Sequence, residues 1–352
     1  MDWVLNNLSL VVLIVIGLGF DFINGFNDSS AIVATMISTR AMSPRKALIM
    51  TAIFVWSGPF IFGVAVATTL GQSMVHGNTI TLGVIYAAML AAITWTLITW
   101  YLGLPSSSTH AIVGGIVGSS VASKLFPLIS GGTIHHLHDV VNTFAIVKLA
   151  GISKVLIALV ISPLLGFVAA YLVLKLIFFI SEVFKLKPGI NNLFRKGQVP
   201  AGIALALSYG SNDAQKTMGL LTMALVAHQT IHKFAVPYWL IALCATAIAL
   251  GVGTGAWRLI RTLSNGIYRL RPVDGFTAQV SSAMVILTAG LLGGPVSTTQ
   301  VVSSSIMGAG SADRWKKVRW GVGQSILMAW LLTLPATATL GAIIFIFTKG
   351  IK

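Results

Sequence analysis

Two Asn-Asp pairs lie inside strongly apolar stretches of the chain. Asn27-Asp28 occurs in NGFNDSSAI, and Asn212-Asp213 occurs in YGSNDAQKT. A charge at the centre of a bilayer costs about 2.5–3.5 kcal/mol on insertion scales, so a carboxylate kept there indicates a function. We predict that Asp28 and Asp213 bind Na⁺ or H⁺. Asn27, Asn212 and carbonyl groups of helices broken at the two motifs would complete an oxygen shell.

Each half of the chain also contains a proline followed by hydroxyl side chains, in PSSSTH at Pro105 and PVSTTQ at Pro295. This pattern is typical of a helix start, where free N–H groups and the positive end of the helix dipole favour an anion. Two such starts converging from opposite sides would form a cradle for a tetrahedral oxyanion. The predicted anion ligands are Ser106, Ser107, Ser108, Thr109, Ser297, Thr298 and Thr299, with Gln215 as an additional polar ligand.

An anion beside two carboxylates is repelled unless a cation or a proton lies between them. The affinity for the anion would then depend on the cation, which is the thermodynamic content of symport. A passive anion channel, by contrast, has no need of the carboxylate pair.

Several of these residues also fit a structural role. The hydroxyl groups could cap helices or join neighbouring helices. Lys216 lies three residues after Asp213, a spacing that allows an ion pair on one helix. No basic residue stands at the corresponding place in the first half, 31–33. Asp21 fits either an ion pathway or a bond to a neighbouring helix, and His110 fits either a proton relay or an orienting hydrogen bond.

The composition is that of a membrane protein. Of the 352 residues 56% are hydrophobic and 9% are charged, whereas about a quarter of a soluble domain is charged. Apolar stretches long enough to cross the bilayer as helices recur, which predicts an all-α polytopic fold. The net charge of +15 is attributed to short basic loops that set orientation, so no nucleic-acid partner is expected. The single Cys244 excludes a disulfide framework and a thiolate metal site.

The motifs recur in the same order. The distance along the chain between the two Asn-Asp pairs is almost the same as that between the two proline segments. We therefore predict an internal duplication with halves 1–180 and 200–352, joined by a cytoplasmic linker, 181–199. The basic loops are mutually consistent only if 80–124 and 275–312 are re-entrant hairpins. Three net crossings per half then give an inverted-topology repeat with both termini outside the cell.

A further cluster has the composition of a metal site but no recognisable scaffold around it. It consists of His135, His136, His138 and Asp139.

The paired motifs GFNDSS and GSNDAQKTMG, together with PSSSTH and PVSTTQ, resemble the inorganic phosphate transporter (PiT) family over essentially the whole chain. The resemblance is closest to bacterial low-affinity phosphate permeases. It implies symport of inorganic phosphate with Na⁺ or H⁺ across the cell membrane, no cofactor and a homodimer. It also implies that the two tips hold the anion and that the two Asn-Asp pairs hold the cations.

The chain departs from the family pattern at two places. Phe26 replaces a small residue and Ser29-Ser30 follows the first Asp, while Gln300 stands where relatives often carry His. These changes leave open the coupling ion and the choice between phosphate, sulfate and other oxyanions. A remote alternative of another class is an intramembrane hydrolase that uses Ser107 or Ser108 with His110.

Overall fold

The structure is a computed structural model that describes residues 7–73, 80–130, 143, 149–185, 190–265, 268 and 270–351. The predicted His135–Asp139 cluster lies outside these residues. Within them the chain forms twelve α-helices, as the composition predicts. The helices are α1 Leu8–Ser38, α2 Pro44–Phe62, α3 Ala65–Ser73, α4 Leu82–Leu102, α5 Ser108–Ser130, α6 Leu149–Val183, α7 Ile190–Ala227, α8 Tyr238–Thr254, α9 Trp257–Asn265, α10 Pro272–Leu291, α11 Thr298–Arg314 and α12 Trp320–Thr348, with a 3₁₀ turn at Trp315–Lys317.

Six of the helices in the described part of the chain are long and apolar enough to cross a membrane, namely α1, α2, α4, α5, α6 and α12. Large apolar side chains remain exposed along them, as on α6, where Val160 is 62% exposed and Leu164 is 61% exposed. In water such a surface would be unfavourable, whereas in a bilayer it contacts lipid. The chain is therefore an integral membrane protein.

The order of long and short helices in α1–α6 is repeated in α7–α12. Each half contains a helical pair joined by a short turn, α4–α5 and α10–α11. Both turns begin with a glycine at positive φ, Gly103 at 72° and Gly293 at 73°. Glycine adopts this conformation without the steric penalty of a side chain, which lets each helix end sharply. The second pair is antiparallel, since Arg271 at its start forms an ion pair of 3.2 Å with Asp313 at its end.

Helices of one half pack on helices of the other in a reciprocal way. Helix α5 packs on α12 and α11 packs on α6. The contacts are close: a Cβ added at Gly118 would lie 1.9 Å from the carbonyl oxygen of Ala338, and one at Gly308 would lie 2.2 Å from that of Phe167. The small residues after each proline segment thus permit the close packing that their sequence pattern predicts.

The helices are not broken at the Asn-Asp motifs, and this part of the prediction is wrong. Helix α1 is continuous through Asn27-Asp28, and α7 is continuous through Asn212-Asp213. The interruptions fall in the neighbouring helices, between α2 and α3 and between α8 and α9. Glycine with positive φ ends the first helix of each pair, Gly63 at 78° and Gly255 at 73°. Carbonyl groups at the motifs therefore lie within helical segments.

The predicted linker, 181–199, includes the start of α7. Helix α6 ends at Val183 and α7 begins at Ile190, so the residues 190–199 are helical.

Candidate anion and cation site

The two proline segments meet inside the protein. The hydroxyl of Thr109, at the start of α5, donates to the carbonyl oxygen of Val296 at 2.9 Å. Asn212 on α7 holds the second segment, because its Nδ2 donates to the Gly294 carbonyl at 3.2 Å and its Oδ1 accepts from the Val296 N–H at 3.3 Å. Asn212 therefore positions the loop before α11.

Both carboxylates contact the start of α11. The hydroxyl of Thr298 donates to Asp213 Oδ2 at 2.5 Å, and the hydroxyl of Thr299 donates to Asp28 Oδ1. The Asp28 side chain also accepts from the Tyr209 hydroxyl at 3.4 Å. Adjacent residues of one helix start thus contact the two acidic residues that sequence reasoning paired.

Asp213 forms an ion pair with Lys216, as the spacing of the two residues allows. The Lys216 ammonium group also donates to the hydroxyl of Ser108, the first residue of α5, at 3.2 Å. Both partners of the ion pair are fully buried. Lys216 therefore connects the second Asn-Asp motif to the first hairpin tip.

The other hydroxyl groups of the first tip have partners within that tip. Ser106 lies 2.7 Å from the Thr99 hydroxyl, and Ser107 lies 2.7 Å from His110 Nδ1. The orienting hydrogen bond considered for His110 is therefore present, and Gln300 approaches the same nitrogen at 3.3 Å. His110 and Gln300 hold matching places in the two halves and contact each other.

A narrow cavity lies beside the first Asn-Asp motif. It is lined by polar groups of Asn27, Asp28, Ser106, Ser108 and Thr299, among others. The cavity volume is about 10 Å³, which is room for about one water molecule. The Oδ1 atom of Asn27 is buried and has no hydrogen-bond partner among the described residues. In this conformation the space suits a small cation or a water and is too small for a tetrahedral oxyanion.

The side chain of Gln215 lies at the interruption between α2 and α3. Its Nε2 donates to the Gly63 carbonyl at 2.6 Å, and its Oε1 accepts from the Ala67 N–H at 3.1 Å. Ser29 has the same role in the other half, where its hydroxyl oxygen accepts from the Ala256 N–H at 3.1 Å. Residues just after each Asn-Asp pair thus satisfy backbone groups that the interruptions leave free.

Asp21 is bonded to a neighbouring helix, since the Thr217 hydroxyl on α7 donates to its Oδ1 at 2.5 Å. Ser297 is buried at the N-cap position of α11. Sequence reasoning missed Tyr209 as a partner of Asp28. Its position in the quoted stretch YGSNDAQKT, as a hydroxyl within an apolar helix, was the available indication.

A model of the phosphate transporter family matches residues 24–341. This range contains both Asn-Asp motifs and both tips. The chain belongs to the phosphate transporter family. Its resemblance to that family, first noted from four motifs, is confirmed over nearly the whole sequence.

Curated relatives are similar over almost their full length. A probable low-affinity inorganic phosphate transporter of Bacillus subtilis is 41% identical over 96% of this chain and 97% of its own. One from Rhizobium meliloti is 37% identical over 96% of this chain and 95% of its own. A transporter function rather than an enzymatic one follows from these relatives and from the family.

A solved structure described as the sodium-dependent phosphate transporter has the same fold. It aligns with a TM-score of 0.82 over 98% of this chain and all of that chain, at 23% identity. At this level of identity the likeness shows the shared helical fold.

The hydrolase alternative is excluded by the family and not by the local geometry. In the structure His110 Nδ1 does lie within hydrogen-bond distance of Ser107. The turn before α5 allows this contact because Ser107 directly precedes the helix.

Proposed function

We propose that this family member is a secondary active transporter that carries inorganic phosphate across the cell membrane together with Na⁺ or H⁺. One observation carries the proposal: Thr298 and Thr299, adjacent at one helix start, contact Asp213 and Asp28, respectively. The proposed anion ligands and the proposed cation ligands are therefore in direct contact.

The contact gives a physical reason for coupling. In the present conformation each threonine donates its hydroxyl proton to a carboxylate. When a cation or a proton neutralises a carboxylate, that oxygen becomes a weaker acceptor, and the hydroxyl can turn towards an anion. Cation binding would thus increase the affinity for phosphate, and phosphate would increase the affinity for the cation by the same factor.

The anion would lie between the two tips, at Ser106, Ser107, Ser108, Thr109, Ser297, Thr298 and Thr299. The cation would lie at the Asn-Asp motifs, with Asn27 and Asp28 offering the unpartnered oxygen and the cavity described above. Gln215 stays a predicted additional anion ligand, although in this conformation both ends of its amide bind backbone groups at the α2–α3 interruption. The narrow cavity implies that the tips must separate before phosphate binds.

We further propose that the two halves form an inverted-topology repeat with re-entrant hairpins and extracytoplasmic termini. The reciprocal packing of α5 on α12 and of α11 on α6 supports this arrangement. So do the matched glycines of the two hairpin turns. The homodimer remains a prediction from the resemblance.

Phosphate is preferred over sulfate on chemical grounds. Phosphate at neutral pH can donate a proton in a hydrogen bond and sulfate cannot, so the acceptor oxygens of Asp28 and Asp213 favour phosphate. A same-fold sulfate or other oxyanion permease is the competing function.

The test is uptake of labelled phosphate into proteoliposomes under separate Na⁺ and pH gradients, with sulfate and arsenate as competitors. The proposal predicts accumulation driven by at least one gradient and stronger competition by arsenate than by sulfate. Flux that only equilibrates phosphate would indicate a passive channel. Preferential accumulation of sulfate would indicate the competing permease.

A further inference from the structure

Lys216 is the one charged group of the site that the predicted cation and anion roles leave unexplained. Its side chain is fully buried and contacts Asp213 and Ser108, on two different helices. A buried ammonium group is expensive unless a carboxylate accompanies it. The position therefore demands a role that an apolar residue could not fill.

We propose that the ammonium group of Lys216 is a built-in cation, which occupies at Asp213 the place that a dissociable cation takes at Asp28. The inference rests on the proposed cation-coupled function. It means that the two Asn-Asp motifs are chemically unequal, and that only the first one exchanges its cation with the solution.

The contacts of the two acidic residues differ as this proposal requires. Both accept a hydroxyl proton from the start of α11. Asp213 has in addition the Lys216 ammonium group, whereas the described hydrogen bonds to Asp28 come from the neutral hydroxyl groups of Thr299 and Tyr209. The charge of Lys216 also acts on Asp28, but without a direct contact. Among the described residues no basic group forms an ion pair with Asp28.

The first motif also retains what a mobile cation needs. The Asn27 Oδ1 atom is a buried oxygen without a partner, and the narrow cavity adjoins it. At the second motif, the equivalent amide oxygen of Asn212 already accepts from the Val296 N–H. The amide oxygen beside Asp28 is therefore available to a cation, whereas the one beside Asp213 already accepts a hydrogen bond from the protein.

An ammonium group can replace a small cation in these contacts. It carries the same single charge, and its three N–H donors suit a carboxylate and a hydroxyl oxygen. Because it is covalently attached, it cannot leave with the substrate. The protein would therefore carry one cation fewer per phosphate than a transporter in which both motifs exchange their cations.

The experiment measures phosphate affinity in detergent or nanodiscs against Na⁺ concentration at fixed pH, and against pH at fixed Na⁺. The proteins are wild type, Lys216→Met and Lys216→Arg.

Removing the built-in charge should make Asp213 take a cation from solution. We expect Lys216→Met to bind phosphate at least about tenfold more weakly at low cation concentration and to recover at high concentration. The slope of log affinity against the log concentration of Na⁺ or H⁺ should rise by about one. Lys216→Arg should keep the wild-type slope.

Two results would overturn the inference. Loss of phosphate binding at every cation concentration, in a folded Lys216→Met protein, would make Lys216 a direct anion ligand. An unchanged slope would show that no cation replaces its charge.

Should Lys216→Met fail to fold, the double variant Asp213→Asn/Lys216→Met removes both charges. It should show no added cation dependence, and an increase in its slope would contradict the inference. Failure of the proposed function is separate, because then wild type itself would bind no phosphate or would bind it independently of both cations.

Discussion

At the residue scale the site is a set of hydroxyl groups shared between acidic residues and the expected anion. Sequence reasoning selected Thr298 and Thr299 by residue type and by their position after a proline. Their contacts with Asp213 and Asp28 depend on how α11 meets α7 and α1, which no local pattern specifies. Gln215 shows the opposite case. Its residue type fitted a ligand, but its helix face directs it to the α2–α3 interruption.

The hydroxyl of Thr299 should matter more than the volume of its side chain. We expect Thr299→Val to weaken cation-dependent phosphate binding by about 1–3 kcal/mol, because the hydroxyl group that would donate a hydrogen bond to the bound anion is lost. Thr299→Ser keeps the hydroxyl and should stay close to wild type. Phosphate titrations at several cation concentrations make the comparison, and equal affinities for the two variants would contradict the assigned contact.

The buried ion pair predicts a non-additive effect on stability. Asp213→Asn leaves a buried ammonium group without its carboxylate, which should destabilise the protein by about 3–5 kcal/mol. The double variant Asp213→Asn/Lys216→Met removes both charges and should recover much of that loss. Thermal unfolding in detergent measures both. A double variant less stable than Asp213→Asn would argue against a direct pair.

At the element scale the sequence predicted where helices meet better than where they break. The proline segments marked the starts of α5 and α11, although Pro105 and Pro295 lie three residues before the first helical residue and hydroxyl residues begin each helix. The predicted breaks were wrong because polar residues inside an apolar stretch were interpreted as a disruption. In the structure these residues bind neighbouring helices, so the helices continue. The glycines at positions 63 and 255 were the better indication of a break.

Close helix packing predicts a sharp difference between two glycines. A Cβ at Gly118 would lie 1.9 Å from the Ala338 carbonyl oxygen, whereas one at Gly19 meets nothing within 4 Å. We expect Gly118→Ala to destabilise the protein by about 1–3 kcal/mol or more through overpacking. Gly19→Ala should be neutral or stabilising by up to about 1 kcal/mol, since alanine favours a helix. Thermal unfolding of both variants measures these changes in stability. Equal melting temperatures would mean that α5 and α12 are not in close contact.

At the scale of the whole molecule two similar halves enclose one unequal site. The repeated motifs predict two halves of corresponding order, and the contact between Thr109 and Val296 brings the two proline segments together. The sequence already showed a basic residue after the second Asn-Asp pair and none at the corresponding place in the first half, so the halves differ in charge. That asymmetry comes from Lys216, and only the contacts of Asp213 and Ser108 with its ammonium group show where the charge is placed.

The central claim is that phosphate and a cation bind as linked ligands at Asp28 and the hairpin tips. The most direct measurement is the reciprocal titration: phosphate affinity at several Na⁺ and H⁺ concentrations, and cation affinity with and without phosphate. For wild type we predict that each ligand increases the affinity for the other by the same factor, and that Asp28→Asn reduces this factor towards one. Phosphate binding that is independent of both cations in wild type would contradict the account.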